Sequence, residues 1–306
     1  WQMERGYDAT TDTFDLSDTF TYITPYLKNS DYTVGNLETV FAGKGNGSAD
    51  TFHGYSCFPA FNAPESFAWD IKSAGVDLLG TANNHSIDSY VKGVYTSLDY
   101  IDATGLEHVG TARTLEEQQE QTIIDVEGIK VGFVSYTYGL NGNVLPSDSS
   151  FAVNTLDNYS EEKISKMCTE IAKLKSSGAD IVVAILHLGT EYSTVPDSYQ
   201  KDVINKAVNS GADIIYGSHP HVVQPMEIKK VKDDTKGERT AVVFYSLGNF
   251  VSSQVYKDGV MKDIGLIADI DIMKDNSGTY ITGVRAAPVY TYWNSEVIGV
   301  VPVIEA

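Results

Sequence analysis

The 306-residue sequence has few cysteines and few basic residues. Cys57 and Cys168 are too few for a disulfide scaffold, and the sequence does not decide whether they pair. The 22 Lys and Arg residues against 41 Asp and Glu residues give a formal net charge of −19. This charge argues against a surface for nucleic acid or for an anionic membrane, because both are polyanionic. An anionic substrate would need local help from cations.

Long apolar runs and several familiar catalytic motifs are also missing. No stretch has the roughly 18 to 20 apolar residues of a membrane span, and we find no signal peptide. Because the chain starts at Trp1 rather than Met, we expect that an upstream segment, including a membrane anchor, is absent here. The sequence has no Gly-x-Ser-x-Gly elbow, no nucleotide-binding Gly-rich loop with Lys and no dinucleotide fingerprint. Serine-nucleophile, P-loop and dinucleotide chemistries are therefore unsupported.

What the sequence does have is the content and order of an α/β domain. Hydrophobic residues make up 42% of the chain, enough for a large core, and no linker divides residues 1–306, which predicts one domain. Apolar strands at 76–80 and 180–186 alternate with helices at 90–104 and 160–176. A run of strands joined by turns follows from residue 222 onward. This order predicts two stacked sheets with helices outside.

The segment Gly217-Ser218-His219-Pro220-His221 directly follows a β-branched strand. Two imidazoles one residue apart can aim at a common point, and Pro220 restrains the backbone between them. An isolated His-x-His more often caps a strand with one histidine and exposes the other. Two similar segments change that balance: Asn84 and His85 follow the strand at 76–80, and His187 follows the strand at 180–186.

A fourth donor, Glu38, follows a strand predicted at 31–35. Loops at this edge of an α/β sheet converge, so we expect one site from five residues: Glu38, Asn84, His187, His219 and His221. Carboxylate, amide and imidazole donors suit one or two divalent transition-metal ions such as Mn, Zn or Fe. Taken singly, these residues are more typical of a surface carboxylate, a turn or a core histidine, and the joint pattern favours the metal site. His53 and His108 lack this context, and we expect no role for them.

Five segments, in order, resemble the motif series of the bacterial capsule synthesis proteins of the CapA type, which are associated with poly-γ-glutamate. The segments are Gly35-Asn36-Leu37-Glu38, Ala82-Asn83-Asn84-His85-Ser86-Ile87-Asp88, and residues 186–192, 217–225 and 245–250. The resemblance extends from about Phe14 to Val255. That family is similar in turn to the calcineurin-like metallophosphoesterases. The resemblance therefore implies a four-layer α/β/β/α sandwich.

The resemblance also implies a role for each site residue. Glu38 matches the carboxylate that bridges two metal ions. Asn84, His187 and His219 match ligands of the second metal, and His221 matches a ligand of the first. His85 matches the catalytic histidine that lies near the leaving oxygen or the transferring phosphoryl group, and Asp88 would orient it.

One part of the family pattern has no counterpart here. The family's first motif is a Gly-Asp at the end of the opening strand, whereas Arg5-Gly6-Tyr7-Asp8 lies in a polar stretch. We expect that the first strand is missing from this chain. We expect the intact protein to hold one or two metal ions, and we expect this chain to hold at most one of them tightly. A missing strand would also leave an unpaired sheet edge.

Two functions are compatible with these features. One is a cell-surface component of poly-γ-glutamate capsule biosynthesis or export that works with other capsule synthesis proteins. Its metal site would contact poly-γ-glutamate or another anionic polymer. The alternative is a metal-dependent phosphoester hydrolase of unknown substrate. Family association favours the first function, and fold analogy, a weaker argument, favours the second.

Overall fold

The computed structural model of the protein describes residues 3–233, 237–254, 259–293 and 298–303. Its strands, in chain order, are β1 (Tyr7–Asp8), β2 (Thr13–Phe14), β3 (Val34–Asn36), β4 (Leu78–Gly80), β5 (Glu107–Val109), β6 (Thr122–Val126), β7 (Ile129–Thr137), β8 (Ile181–His187), β9 (Ile214–Ser218), β10 (Met226–Asp233), β11 (Gly237–Phe244), β12 (Ile264–Asp275), β13 (Gly278–Trp293) and β14 (Ile298–Pro302).

The helices are α1 (Thr24–Leu27), α2 (Ser66–Ala74), α3 (Tyr90–Thr104), α4 (Leu115–Gln119), α5 (Glu161–Ser176) and α6 (Ser198–Asn209). The helix predicted at 90–104 is confirmed with the same bounds. For residues 19–28 the sequence suggests a short helix that ends early or kinks at Pro25, and the structure has a 3₁₀ turn at Ser17–Phe20 followed by the short α1. Pro25 explains the break, because proline is accommodated in the first turn of a helix and not in its interior.

The largest sheet has six strands in the order β10-β11-β9-β8-β7-β6, with β11, β9, β8 and β7 parallel and the two outer strands antiparallel. Every residue of β8 is buried, as expected for a parallel strand covered on both faces. On one face, α5 and α6 pack against this sheet through residues such as Ile171, Leu174 and Ile204. This packing fixes the carboxyl ends of β8 and β9.

Two smaller sheets have three strands each: β3-β4-β5 is parallel, and β12-β13-β14 is antiparallel. One apolar cluster joins Leu78 and Val109 of the small parallel sheet to Phe133 and Val183 of the large sheet. Another cluster packs α2 and α3 against the small sheets. The protein is therefore a mixed α/β structure with several sheets, which confirms the predicted α/β fold class.

Within the described ranges, the expected unpaired edge is present at β3. This strand pairs with β4 on one side, and no described strand pairs with its other side. A groove of about 760 Å³ runs along the other side, between Val34–Asn36 and a part of β12 at residues 266–268. Asn36 Oδ1 is buried at this edge without a hydrogen-bond partner among the described residues. The polar opening stretch instead forms the small β1-β2 hairpin.

None of the helices in the described ranges combines the length and apolar character needed to cross a membrane.

Candidate metal centre

Glu38, His187 and His219 form a compact cluster of donor atoms. One donor atom from each lies within 4.8 Å of the others. Glu38 comes two residues after β3, His187 is the last residue of β8, and His219 directly follows β9. Strands in two different sheets therefore deliver the three side chains to one point. Such a set of one carboxylate and two imidazoles could hold a divalent transition metal.

His187 connects this cluster to Asn84. Its side chain is fully buried, and its Nε2 lies 2.7 Å from Asn84 Oδ1 and 3.6 Å from Glu38 Oε1. The Asn84 Nδ2 donates a hydrogen bond of 3.0 Å to Asn141 Oδ1, which turns the Asn84 oxygen toward His187. On the other side of the ring, Ser218 Oγ lies 2.9 Å from His187 Nδ1. Asn84 therefore adds an oxygen donor to the cluster.

His221 lies on the other side of Glu38. Its Nε2 is 3.7 Å from Glu38 Oε1, the same oxygen that faces His187. The second nitrogen of the ring, Nδ1, is 2.9 Å from Asn249 Oδ1. The carboxylate of Glu38 thus stands between His187 and His221, a position from which it could serve two cation positions.

The backbone around the two adjacent histidines is unusual. His219 has φ of 96° and His221 has φ of 58°, conformations that non-glycine residues rarely adopt. The carbonyl of Pro220, between them, accepts a 2.8 Å hydrogen bond from the Tyr192 amide. This tight loop lets both imidazoles face the cavity, and strained backbone of this kind is frequent at functional sites.

His85 and Asp88 form a pair at the same cavity. His85 Nδ1 is 2.7 Å from Asp88 Oδ2, and Phe61 donates its amide to the same carboxylate oxygen at 2.6 Å. The Phe61 ring packs edge-on against His85. The carboxylate fixes Nδ1, so His85 Nε2 remains the nitrogen available for other contacts. His85 lines the groove together with Glu38, His219 and His221.

Burial sets the protonation of the cluster. It lowers the pKa of His219 to about 3, assisted by the nearby His221 and His85, and it lowers the pKa values of His187 and His221 as well. Burial raises the pKa of Glu38 to about 8, and the Glu191 and Asp88 carboxylates add to this effect. The imidazoles are therefore neutral at pH 7, whereas an ionised Glu38 needs a compensating positive charge.

These features fit a divalent metal ion. Neutral imidazoles keep the lone pairs that bind metals, and a cation would stabilise the ionised form of Glu38. His219 Nδ1 is buried and has no hydrogen-bond partner among the described residues, which is unfavourable unless a ligand is present. The residues that would hold the ion are Glu38, Asn84, His187 and His219, with His221 on the far side of Glu38.

The structure thus brings together all five residues predicted as metal ligands, and it places the predicted His85 at the same cavity with Asp88 in contact with its ring. Their chemical roles stay predictions. His53 and His108 have other partners: His53 stacks on Tyr7, and His108 Nε2 is 3.2 Å from an Asp102 carboxylate oxygen.

Sequence reasoning gave no role to several residues that support the site. Asn249 belongs to the segment at 245–250 that carries the family resemblance, so a signal for it existed. Asn141 lies in an ordinary Gly-containing turn, and no sequence signal distinguishes it from other loop residues.

Comparison with known proteins identifies related sequences. The sequence profile of the family described as "Bacterial capsule synthesis protein PGA_cap" matches residues 2–254. The "Capsule biosynthesis protein CapA" of Bacillus anthracis is 30% identical over 242 residues, which is 77% of this chain and 54% of the relative. The "PGA biosynthesis protein CapA" of Bacillus subtilis (strain 168) is 28% identical over 264 residues, 82% of this chain and 61% of the relative. The chain thus spans less than two thirds of the length of these relatives.

Proposed function

The chain belongs to the PGA_cap family of bacterial capsule synthesis proteins, and from this premise we propose that it acts in the biosynthesis or export of a poly-γ-glutamate capsule at the cell surface. Two relatives are named for capsule or PGA biosynthesis. The main support for a metal-dependent mechanism is the clustering of Glu38, His187 and His219. In this proposal the domain is a four-layer α/β/β/α sandwich with the metal centre between its two central layers.

The metal centre is the proposed point of contact with an anionic substrate. Poly-γ-glutamate is polyanionic, and a chain with a net charge of −19 repels it over most of its surface. A divalent ion held by Glu38, Asn84, His187 and His219 would supply local positive charge for substrate oxygens and, in a hydrolase, would activate water. Neutral histidines do not offset the cation's charge, and the single carboxylate of Glu38 offsets only part of it, so positive charge remains for substrate oxygens.

The proposal also concerns the protein's setting. A segment upstream of Trp1 would anchor the domain at the extracellular face of the membrane, where other capsule synthesis proteins are its partners. Nucleic acid is not a partner in this proposal.

A second candidate function rests on the His85–Asp88 pair. A histidine that contacts a carboxylate through Nδ1 and faces a cavity through Nε2 is suited to proton transfer. In a phosphoester hydrolase, His85 would donate a proton to the leaving oxygen, and Asp88 would hold the ring in the productive orientation.

Metal titration and capsule production together test the proposal. We expect isothermal titration with Mn²⁺ or Zn²⁺ to give saturable binding that His219→Ala weakens strongly and His108→Ala leaves unchanged. In a Bacillus subtilis strain whose CapA carries this chain in place of its matching segment, poly-γ-glutamate output should fall with the same variant. A wild-type protein that takes up no metal, or polymer output unaffected by His219→Ala, would contradict the proposal. Turnover of bis(p-nitrophenyl) phosphate would favour the hydrolase.

A further inference from the structure

Lys262 is the basic residue of the groove that contains the metal centre. Of the described residues that line this groove, Lys262 is the only Lys or Arg, and three are glutamates: Glu4, Glu38 and Glu191. Lys262 makes no ion pair with any carboxylate in the described part of the chain.

The backbone of Lys262 is held by a residue that also contacts the metal centre. Asn249 Nδ2 donates a hydrogen bond of 2.7 Å to the Lys262 carbonyl, and Asn249 Oδ1 lies 2.9 Å from His221 Nδ1. A single asparagine therefore fixes both a candidate metal ligand and the position of the lysine. The Lys262 backbone is therefore tied to His221 through one side chain.

The side chain of Lys262 is oriented by Tyr192. The lysine Nζ lies 4.9 Å from the centroid of the Tyr192 ring, a cation–π distance. The same ring stacks on His221, with centroids 5.9 Å apart. Tyr192 has φ of 62°, and its amide is bonded to the Pro220 carbonyl, so the ring is tied to the His219–His221 loop. The ammonium group is thus kept at the mouth of the metal centre.

We propose that Lys262 is a substrate-binding residue that holds an oxyanion, a carboxylate or a phosphate, beside the metal centre. A cation–π contact leaves the three N–H donors of the ammonium group free to bind oxygen atoms. Lysine binds such anions as a point charge and accepts either geometry. The inference rests on the proposed function, because it takes the occupant of the groove to be anionic. It adds the residue that recognises the anion.

The experiment compares four forms of the protein: wild type, Lys262→Met, Lys262→Arg and a control, Lys166→Met. Lys166 is exposed on α5, so its substitution removes the same charge away from the groove. Binding of two probes, inorganic phosphate and a γ-linked glutamate oligomer, is measured by isothermal titration, once with saturating Mn²⁺ and once with EDTA. Mn²⁺ binding alone is measured for every form.

We expect Lys262→Met to weaken the better-bound probe about tenfold or more, the effect of losing a charge-assisted hydrogen bond. The anion affinity of Lys262→Arg should stay within about threefold of that of wild type. The anion affinity of Lys166→Met should equal that of wild type. A stronger effect on the glutamate oligomer identifies the polymer as the source of the anion, and a stronger effect on phosphate identifies a phosphoester. Equal anion affinity in wild type and Lys262→Met would overturn the inference, as would wild type that binds neither probe.

The two failures are distinguishable. If the forms bind Mn²⁺ normally and Lys262→Met does not affect anion binding, the Lys262 inference fails and the metal-site proposal stands. If no form binds Mn²⁺, the metal-site proposal fails, and the EDTA titrations still decide whether Lys262 binds anions.

Discussion

The amide oxygen of Asn84 lies 2.7 Å from Nε2 of His187, although 103 positions separate the two residues in the chain. Asn84 follows β4, in a small sheet, and His187 ends β8, in the large one. Because the Asn84 amide is also bonded to Asn141, its oxygen cannot turn away without losing that contact. The two donors are therefore directed at one point by the packing of two different sheets.

Removing the Asn84 oxygen should weaken metal binding. We expect Asn84→Ala to raise the Kd for Mn²⁺ at least about tenfold, the scale found when residues around a metal site are removed. The fold should persist, because Asn84 contributes two side-chain contacts, to His187 and Asn141, and little apolar packing. Isothermal titration measures the affinity, and circular dichroism checks the fold. Unchanged affinity in a folded variant would remove Asn84 from the ligand set.

The raised pKa of Glu38 predicts how stability depends on pH in the metal-free protein. The pKa is about 8 when folded, against an ordinary value of 4.5. The folded state therefore binds the proton more tightly, so this stabilising contribution is full below pH 4.5 and is lost as pH rises through 8. Between pH 6.5 and 8 we expect the free energy of unfolding to fall by about 1 to 2 kcal/mol.

Urea unfolding in EDTA measures this loss. Above pH 6.5 the effect of Glu38 on the free energy of unfolding is separated from that of the histidines. The lowered pKa values of His187 and His219 reduce stability as pH falls below 6.5, which is the opposite pH dependence. Glu38→Gln should flatten the curve in this window, and saturating Mn²⁺ should do so in wild type. If Glu38→Gln keeps the same slope, the carboxyl group of Glu38 is not the source.

Gly217 should be intolerant of a side chain. An added Cβ would lie 1.9 Å from the Tyr245 carbonyl oxygen, which is backbone and cannot move aside cheaply. We expect Gly217→Ala to lower the free energy of unfolding by about 1 to 3 kcal/mol, as overpacking does. It should also weaken metal binding, because His219 and His221 follow directly. Gly128→Ala is the control for metal binding, since open space surrounds that position, although its positive φ means that a side chain there is strained and also lowers stability.

The sequence predicted the local elements well because their signals are local. The helix at 90–104 has apolar residues at helical spacing and ends at Gly105, which has the expected left-handed conformation. The turn at Glu127 and Gly128 was marked by its glycine, and both residues have positive φ. The proximity of His187 and His219 also followed from a general rule, that strand ends at one edge of a sheet converge, whereas Glu38 reaches them from a second sheet.

What the sequence did not reveal depends on contacts between distant segments. The strands β3-β4-β5 and β12-β13-β14 form two separate three-stranded sheets rather than one. Which strands pair depends on contacts between distant segments, and no local sequence pattern indicates it. The same holds for Lys262 and Tyr192, which are 70 positions apart and meet only because the His219–His221 loop brings them together. The pKa of Glu38 likewise depends on burial that periodicity alone does not define.

The His85–Asp88 pair gives a test of catalysis that is separate from metal binding. If the protein is a hydrolase, His85→Ala should lower kcat on bis(p-nitrophenyl) phosphate by about 100-fold or more, the range for loss of a general acid. Asp88→Asn should lower it less, because the ring remains but is held less well. Metal affinity should be unchanged in both variants. Equal loss of metal binding and activity would show that His85 acts on the ion instead.

The free edge of β3 predicts a pattern of amide exchange. Thr33 accepts hydrogen bonds from Asp77 and Leu78, and the Leu37 amide bonds to Gly80, so odd-numbered residues of this segment face β4. The amides of Val34 and Asn36 therefore face the groove. We expect them to exchange with deuterium at least about tenfold faster than that of Gly35, as measured by NMR. Slow exchange at Val34 and Asn36 in the present chain would mean that the edge is already paired.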